Sequence, residues 1–303
     1  MLSAKFTTQI LEPIPKSKLE YITICIYRLS DQDKKNIKSV HFIYKMGNII
    51  SIANQKGGVG KTTTAVNLAA SIAVTDMSCL LVDCDPQGNA TTGLGVDRDD
   101  LIYGLYEFIL GSASEESVII KTELSGLSLM GATFDLIGAE VEMVSVDDRE
   151  YRLREKLTPL KDKYDYIFLD CPPSLGFLTV NALTAADSVL VPLQCEYYAL
   201  EGLSQLLKTV QAIQNGLNRS LTLSGILLTM YDSRNNLSYQ VEQEVRRHFK
   251  DTVFKTIIPR NVRLSEAPSY GKPILLYDIA SKGAQSYLAL ARELMNRGGR
   301  GHD

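Results

Sequence analysis

Lys56-Gly57-Gly58-Val59-Gly60-Lys61-Thr62-Thr63-Thr64 follows directly on the apolar, β-rich run Ile49-Ile50-Ser51-Ile52-Ala53-Asn54. A glycine-rich turn leading from a strand into a helix aims successive backbone N–H groups at phosphate oxygens, and the helix N-terminus adds a partial positive charge. Lys61 is placed to reach the β- and γ-phosphates and the Thr62 hydroxyl to ligate Mg²⁺. Two lysines and three hydroxyls crowded at one helix start repel one another unless an anion sits among them, so a turn that binds nothing is the poorer reading. The stretch reads as the site of a nucleoside triphosphate.

Outward from this loop, apolar β-rich runs recur at 49–53, 79–82, 127–130, 166–169, 188–193, 223–230 and 254–258. Helical spacing fills stretches between most of them, such as 62–74, 200–213 and 237–249. Near-continuous apolar strands alternating with helices predict an α/β fold, a doubly wound, mostly parallel sheet flanked by helices and joined by right-handed crossovers, over residues 46–297. Ligands of such sheets bind at the carboxyl ends of the strands. Residues 298–303 are expected to form a flexible tail.

Two of the strand-like runs end in carboxylates: Leu80-Leu81-Val82-Asp83-Cys84-Asp85-Pro86-Gln87-Gly88-Asn89 and Tyr166-Ile167-Phe168-Leu169-Asp170-Cys171-Pro172-Pro173. A strand-terminating Asp often only caps a turn. Two such ends alongside a phosphate loop fit a Mg-nucleotide site better. Asp170 reads as the carboxylate that holds Mg²⁺ with Thr62, directly or through water. Alternation along a strand end points Asp83 and Asp85 to one side with Asp85 further out, making Asp85 the candidate to orient attacking water.

No apolar run approaches the roughly 20 residues that cross a bilayer, which predicts no membrane span. Cys25, Cys79, Cys84, Cys171 and Cys195 form no CxxC pair, and a reducing cytoplasm fits best. Residues 1–45 read apart from the rest, with eight Lys/Arg against four Asp/Glu and no clear period. Three readings stand for this N-terminal extension: a disordered or loosely docked arm, translated sequence upstream of a start at Met46, and an arm that binds DNA or a partner. No small-residue cleavage site follows its apolar stretch, so it is not a secretory signal.

Net charge of −3 argues against a generally basic nucleic-acid binder, and from Met46 onward 24 basic residues face 31 acidic ones. Within 245–272, however, Arg246, Arg247, Lys250, Lys255, Arg260, Arg263 and Lys272 face only Asp251 and Glu266. That local excess suits sequence-independent phosphate contacts. Either of Arg246 and Arg247 alone is better read as part of a solvated helix face.

The phosphate loop departs from the ordinary pattern, with Gln55 where a first glycine is expected and an added lysine at Lys56. Lys56 with Gly57-Gly58-Val59-Gly60-Lys61-Thr62 is similar to the deviant Walker A motif of the superfamily that holds ParA, MinD and the nitrogenase iron protein. The chain from about 47 to 297 resembles chromosomal ParA/Soj partition ATPases. Further matches are Asp83–Asn89 followed by Thr91-Thr92-Gly93-Leu94, Asp170–Leu175, Val191–Gly202, Leu228–Arg234 and Ile258–Ser269, which cover the strand ends. Cys84, between two carboxylates, is a departure, since the family usually has an aliphatic residue there.

The resemblance implies a P-loop NTPase of the deviant Walker A type that binds ATP and Mg²⁺ and forms an ATP sandwich homodimer. It implies Lys56, Lys61, Asp85 and Asp170 as the catalytic set, with Lys56 crossing to the partner's phosphates. It puts the nucleotide on Lys56, Gly57, Gly58, Val59, Gly60, Lys61, Thr62 and Thr63, with Pro259 and Asn261 around the adenine, and the metal on Thr62 and Asp170. It adds Arg234 and Arg263 as contacts to non-specific double-stranded DNA, a ParB-like partner that stimulates hydrolysis, and a cytoplasmic, nucleoid-associated location. A MinD-like division-site ATPase acting at the membrane is the alternative, and it calls for a C-terminal amphipathic helix; Leu288-Ala289-Leu290-Ala291-Arg292-Glu293-Leu294-Met295-Asn296-Arg297 looks instead like a docking helix. An iron–sulfur reductase needs cysteines in glycine-rich loops, whereas Cys84, Cys171 and Cys195 end or follow strands.

Overall fold

The computed structural model describes residues 47–298, so the extension 1–45, Met46 and 299–303 lie outside the described residues. Its strands are β1 (Asn48–Ile52), β2 (Cys79–Asp83), β3 (Ile119–Lys121), β4 (Leu127–Met130), β5 (Tyr166–Asp170), β6 (Ser188–Gln194) and β7 (Thr222–Thr229). They form one seven-stranded sheet in the order β3-β4-β2-β5-β1-β6-β7. Every pairing is parallel except β3 with β4. The predicted doubly wound, mostly parallel α/β sheet is the fold observed.

Side chains alternate across each strand, and the alternation divides the core into two. Ile49, Leu80, Val82, Ile167, Leu169, Val189 and Val191 face one layer, formed by α3 (Phe177–Ala185), α4 (Ala199–Gly216) and α5 (Asn236–Phe249) with shorter helices beside them. Ile50, Ile52, Leu81, Leu129, Phe168 and Leu190 face the other, where α1 (Lys61–Ala73) and α6 (Lys282–Gly298) pack. The five-residue α2 (Asn89–Gly93) follows the β2 loop. Helix α1 is buried around most of its circumference because α6 covers its outer side. Ala284, Tyr287, Ala291 and Leu294 recur at helical spacing along α6 and are buried there. Each fully buried Leu or Ile of this layer contributes roughly 1.5–3 kcal/mol.

Two strand expectations need correction. The run 254–258 is not a strand; it meets the sheet edge only through isolated bridges, Ile226 to Val253 and Tyr231 to Pro259. Phe254 N and Ile258 N still donate to Ile226 O and Leu228 O. Between them, Lys255 N and Thr256 N turn to the Glu293 carboxylate of α6 at 2.8 and 2.9 Å, which takes the chain out of the ladder. β3, in contrast, was not anticipated, since three residues are too few to display a period.

The end of α3 has no glycine cap. Asn218, buried in the turn before β7, reaches it instead, its Nδ2 lying 3.1 Å from Leu183 O, 3.1 Å from Thr184 O and 2.7 Å from Ala186 O. Its Oδ1 accepts from Ser220 Oγ at 2.8 Å. Asn218→Ala strands these carbonyls, and we expect a loss of about 2 kcal/mol in chemical denaturation. Asn218→Asp, which keeps the volume but removes the donor, should cost at least as much; a smaller cost would mean that packing rather than hydrogen bonding is what Asn218 supplies.

Candidate active site

The phosphate loop begins where β1 runs out. Ile52 pairs with Asp170 of β5, and Asp170 in turn with Asp83 of β2, so the three strands end level. Asn54 anchors the exit, Nδ2 donating to Pro192 O at 2.7 Å while Oδ1 accepts from Lys56 N at 3.0 Å. Thr229 Oγ1, at the end of β7, donates to Val59 O at 2.8 Å. Gly58 and Gly60 hold φ values of 73° and 89°, left-handed backbone that only glycine adopts without strain. Gly60 is the N-cap of α1, and no side chain caps that helix start. Its first N–H groups therefore remain available to an anion.

Two adjoining cavities lie above the loop. One, of about 490 Å³, is lined by Gly57, Gly58, Gly60, Lys61, Thr62, Thr63 and Asp85 among others. The second, of about 430 Å³, is lined by Pro259, Asn261 and Tyr287 and shares Gly60, Thr63, Met230 and Pro268 with the first. The fold thus brings the predicted phosphate residues together with Pro259 and Asn261, far apart in sequence. Asn261 Oδ1 is buried without a partner. Lys56 stands aside: its Nζ forms an ion pair with Glu196 of the same chain, and both side chains are half-exposed. Among the described residues, the hydrogen-bond partner of Lys61 Nζ is Lys56 O, at 3.3 Å. Burial lowers the Lys61 pKa, with Asp170, Cys171 and Asp85 opposing.

Asp83 and Asp85 part company. β2 ends at Asp83, so strand alternation does not carry through to Asp85, and the expectation that both point one way fails. Asp83 is turned into the protein, its carboxylate accepting from Thr91 N at 2.8 Å, Thr91 Oγ1 at 2.7 Å and Asp85 N at 3.2 Å. Burial pushes its pKa up to about 6 against those hydrogen bonds. Asp85 lies further out and lines the cavity, with Oδ1 accepting from Gln87 N at 2.9 Å. Asp170 is fully buried below them. Burial first and Asp83 second push its carboxyl well above the usual range; Thr62 and Lys61 favour the charged form, yet no donor reaches either oxygen at hydrogen-bond distance. Two buried acceptor oxygens without a donor beside a threonine hydroxyl fit a Mg²⁺ site whose remaining positions come from nucleotide and water.

Arg234 lies in the turn after β7 and Arg263 in the short helix Val262–Glu266, two segments that the Tyr231–Pro259 bridge brings together. Arg234 is bound to Asp232 through two hydrogen bonds of 2.8 and 3.0 Å while its side chain stays 88% exposed. Its guanidinium holds the Asp232 pKa down to about 2. Arg263 pairs with Glu266 at 2.9 Å and Asp278 at 3.5 Å. The basic surplus counted along 245–272 is partly neutralised in space, since Glu242, Glu244 and Glu123 meet Arg246, Arg247 and Lys272. Sequence reasoning missed Thr91, Gln87, Thr229 and Met230 at the site. Met230, with φ of 50°, borders both cavities, and strained backbone of this kind gathers at functional sites.

A protein-family profile described as an AAA domain matches residues 47–223. The chain is 62% identical over 252 residues to the "Chromosome partitioning protein ParA" of Myxococcus xanthus, covering 83% of this chain and 89% of that protein. It is 56% identical over 253 residues to the "Sporulation initiation inhibitor protein Soj" of Bacillus subtilis, covering 84% of this chain and all of the other. Among solved structures, a Mycobacterium smegmatis protein described as cobyrinic acid a,c-diamide synthase with bound ADP and magnesium superposes with a TM-score of 0.75 at 38% identity, covering 85% of this chain and 97% of that one.

A buried, unpartnered carboxylate costs stability in proportion to its charge. Because the folded pKa of Asp170 lies above its unfolded value, that cost is fully present above the folded pKa and fades as pH falls through it. Asp170→Asn is therefore expected to raise the stability of the nucleotide-free protein by roughly 1–2 kcal/mol at about pH 8, with the difference narrowing toward about pH 5. Thermal denaturation of both proteins across that range checks it, and a lower midpoint for the variant at high pH would count against the buried charge.

Proposed function

The chain belongs to the ParA/Soj family of chromosome-partitioning ATPases, and from that premise we propose that it binds ATP with Mg²⁺, hydrolyses the nucleotide, pairs as an ATP sandwich dimer and holds DNA without sequence preference. Stimulation by a ParB-like partner and a cytoplasmic, nucleoid-associated location belong to the same reading. The observation that carries it is the glycine cradle with Lys61, Thr62 and Asp85 around one cavity, above the unpartnered Asp170 carboxylate.

Each residue has a task that its surroundings support. The uncapped start of α1 and the loop amides receive phosphate oxygens, and Lys61, with a single long hydrogen bond of its own, balances the β- and γ-phosphate charge. Thr62 and Asp170 would hold Mg²⁺, which supplies charge neutralisation at the phosphates when bound. Asp85 Oδ1 is tied to Gln87 N, which leaves Oδ2 to orient water. Asn261 Oδ1, buried without a partner, suits the exocyclic amine of adenine, with Pro259 beside it. The membrane alternative is weakened because α6 uses its apolar stripe against α1. A synthase role like the one in the Mycobacterium smegmatis protein's description rests on 38% identity, against 62% and 56% for the partitioning relatives.

Lys61→Ala should weaken ATP binding by roughly 100-fold, the equivalent of about 2–3 kcal/mol for a lost charge-assisted contact. Lys56→Ala should retain binding but lose the ATP-dependent dimer, and Asp85→Ala should accumulate that dimer while hydrolysis falls by about 100-fold. Equilibrium nucleotide binding, sedimentation with ATP and single-turnover hydrolysis separate the three. A Lys56→Ala protein that dimerised normally would end the trans-lysine assignment.

Duplex binding should require ATP and weaken by at least about tenfold between 50 and 200 mM salt, with little preference among sequences. Arg234→Glu and Arg263→Glu should each lose it and keep the dimer, since an exposed ion pair contributes only about 0–1 kcal/mol and readily yields its guanidinium to a phosphate. Electrophoretic shifts with ATP and with ADP test this; equal binding in both nucleotides would defeat the ATP-gated clamp.

A further inference from the structure

Arg98 opens a one-turn 3-10 helix, Arg98–Asp100, whose N-cap Asp97 accepts from Asp99 N. Its side chain then turns back over the outside of the Asp85 loop. Nη2 donates to Pro86 O at 2.8 Å, Nη1 to Gln87 O at 2.9 Å and Nε to Ala132 O at 3.0 Å. The Phe134 ring covers the guanidinium face, its centroid 3.9 Å from the central carbon. Gly88, with φ of 66°, leaves the room this requires, because a Cβ there would lie 2.4 Å from Arg98 Nε. From the inside, Thr91 Oγ1 donates to Asp83 and accepts from Ala132 N at 3.0 Å. The Ala132 peptide segment is thus bonded at its N–H by Thr91 and at its C=O by Arg98, and the loop lies between them.

The geometry points to Arg98 as the positioning residue that fixes the Asp85 loop for hydrolysis, an inference that rests on the water-orienting role proposed for Asp85. Three carbonyls from two separate segments are satisfied by one rigid planar fork, a task an ammonium cannot match. Arg98 does not line the cavity, and the phosphate loop that holds nucleotide belongs to β1 and α1. Loss of the fork therefore leaves the phosphate-loop contacts in place and frees Pro86 and Gln87, the residues directly after Asp85. Displacing a reacting group by about 1 Å can cost roughly 100-fold in rate.

Arg98→Ala is expected to lower single-turnover hydrolysis by about 10- to 100-fold while ATP affinity changes by less than about twofold. Arg98→Lys should restore part of the rate. Amide hydrogen exchange on the same full-length proteins should accelerate at Gln87 and Gly88 and stay unchanged in β2. Arg98→Ala hydrolysing at the wild-type rate, or losing rate and affinity together with faster exchange throughout β2, would overturn the positioning role. If exchange at Gln87 and Gly88 rises but Asp85→Ala hydrolyses like the wild type, the loop clamp stands and the water-orienting assignment falls; unchanged exchange at both amides removes the clamp itself.

Discussion

A buried carboxyl with no hydrogen-bond donor in the floor of the site is the constraint from which the rest follows. Asp170 ends the central strand β5 with both oxygens buried and unpaired, beside Asp83 and below Lys61. The loop above it has the opposite surplus, with an uncapped helix start and an ammonium whose one acceptor is a backbone carbonyl at 3.3 Å. The two surpluses attract but do not satisfy each other, since no donor reaches the Asp170 oxygens at hydrogen-bond distance among the described residues. On the reading proposed above, a magnesium nucleotide would supply both missing partners at once, an anion for the loop and a cation for the carboxylate. The sheet tolerates this cost because Asp170 is carried on a strand paired on both sides, where it cannot move to solvent.

Bracing of the loop comes from elements remote in sequence. Thr229 holds Val59 from the end of β7, and Tyr287 of α6 meets the Thr64 hydroxyl at 3.2 Å. Asn67 of α1 donates to Thr63 O and accepts from Ile274 N at 2.7 Å. Helix α1 is consequently held by the sheet on one side and the C-terminal segment on the other, which fixes the position of its first turn.

Much of this was legible in the sequence, for physical reasons that differ by element. The six longer strands are fully buried or nearly so and carry enough apolar residues to reveal themselves, whereas β3 has three residues and no pattern. The run 254–258 has strand composition but loses its ladder to Glu293, a partner 37 and 38 residues away that no local window contains. At the site, Lys61, Thr62, Asp85 and Asp170 announce themselves through local motifs. Arg98, Thr229 and Met230 do not, because each acts through contacts that exist only after the chain has closed. The same blindness applies to charge, since Arg246 and Arg247 gain Glu242 and Glu244 from the preceding helical turn, just outside the window in which the surplus was counted.

The Lys56–Glu196 ion pair has a consequence for how a subunit waits. Without it, two ammonium groups five residues apart in sequence would have one loop between them and would repel. Drawing Lys56 to Glu196 relieves that repulsion. Because the pair is half-exposed, undoing it costs no more than about 1 kcal/mol, a factor of roughly five in any equilibrium that needs the lysine elsewhere. The lysine is parked rather than locked, and Glu196 opposes little whatever else draws on that charge.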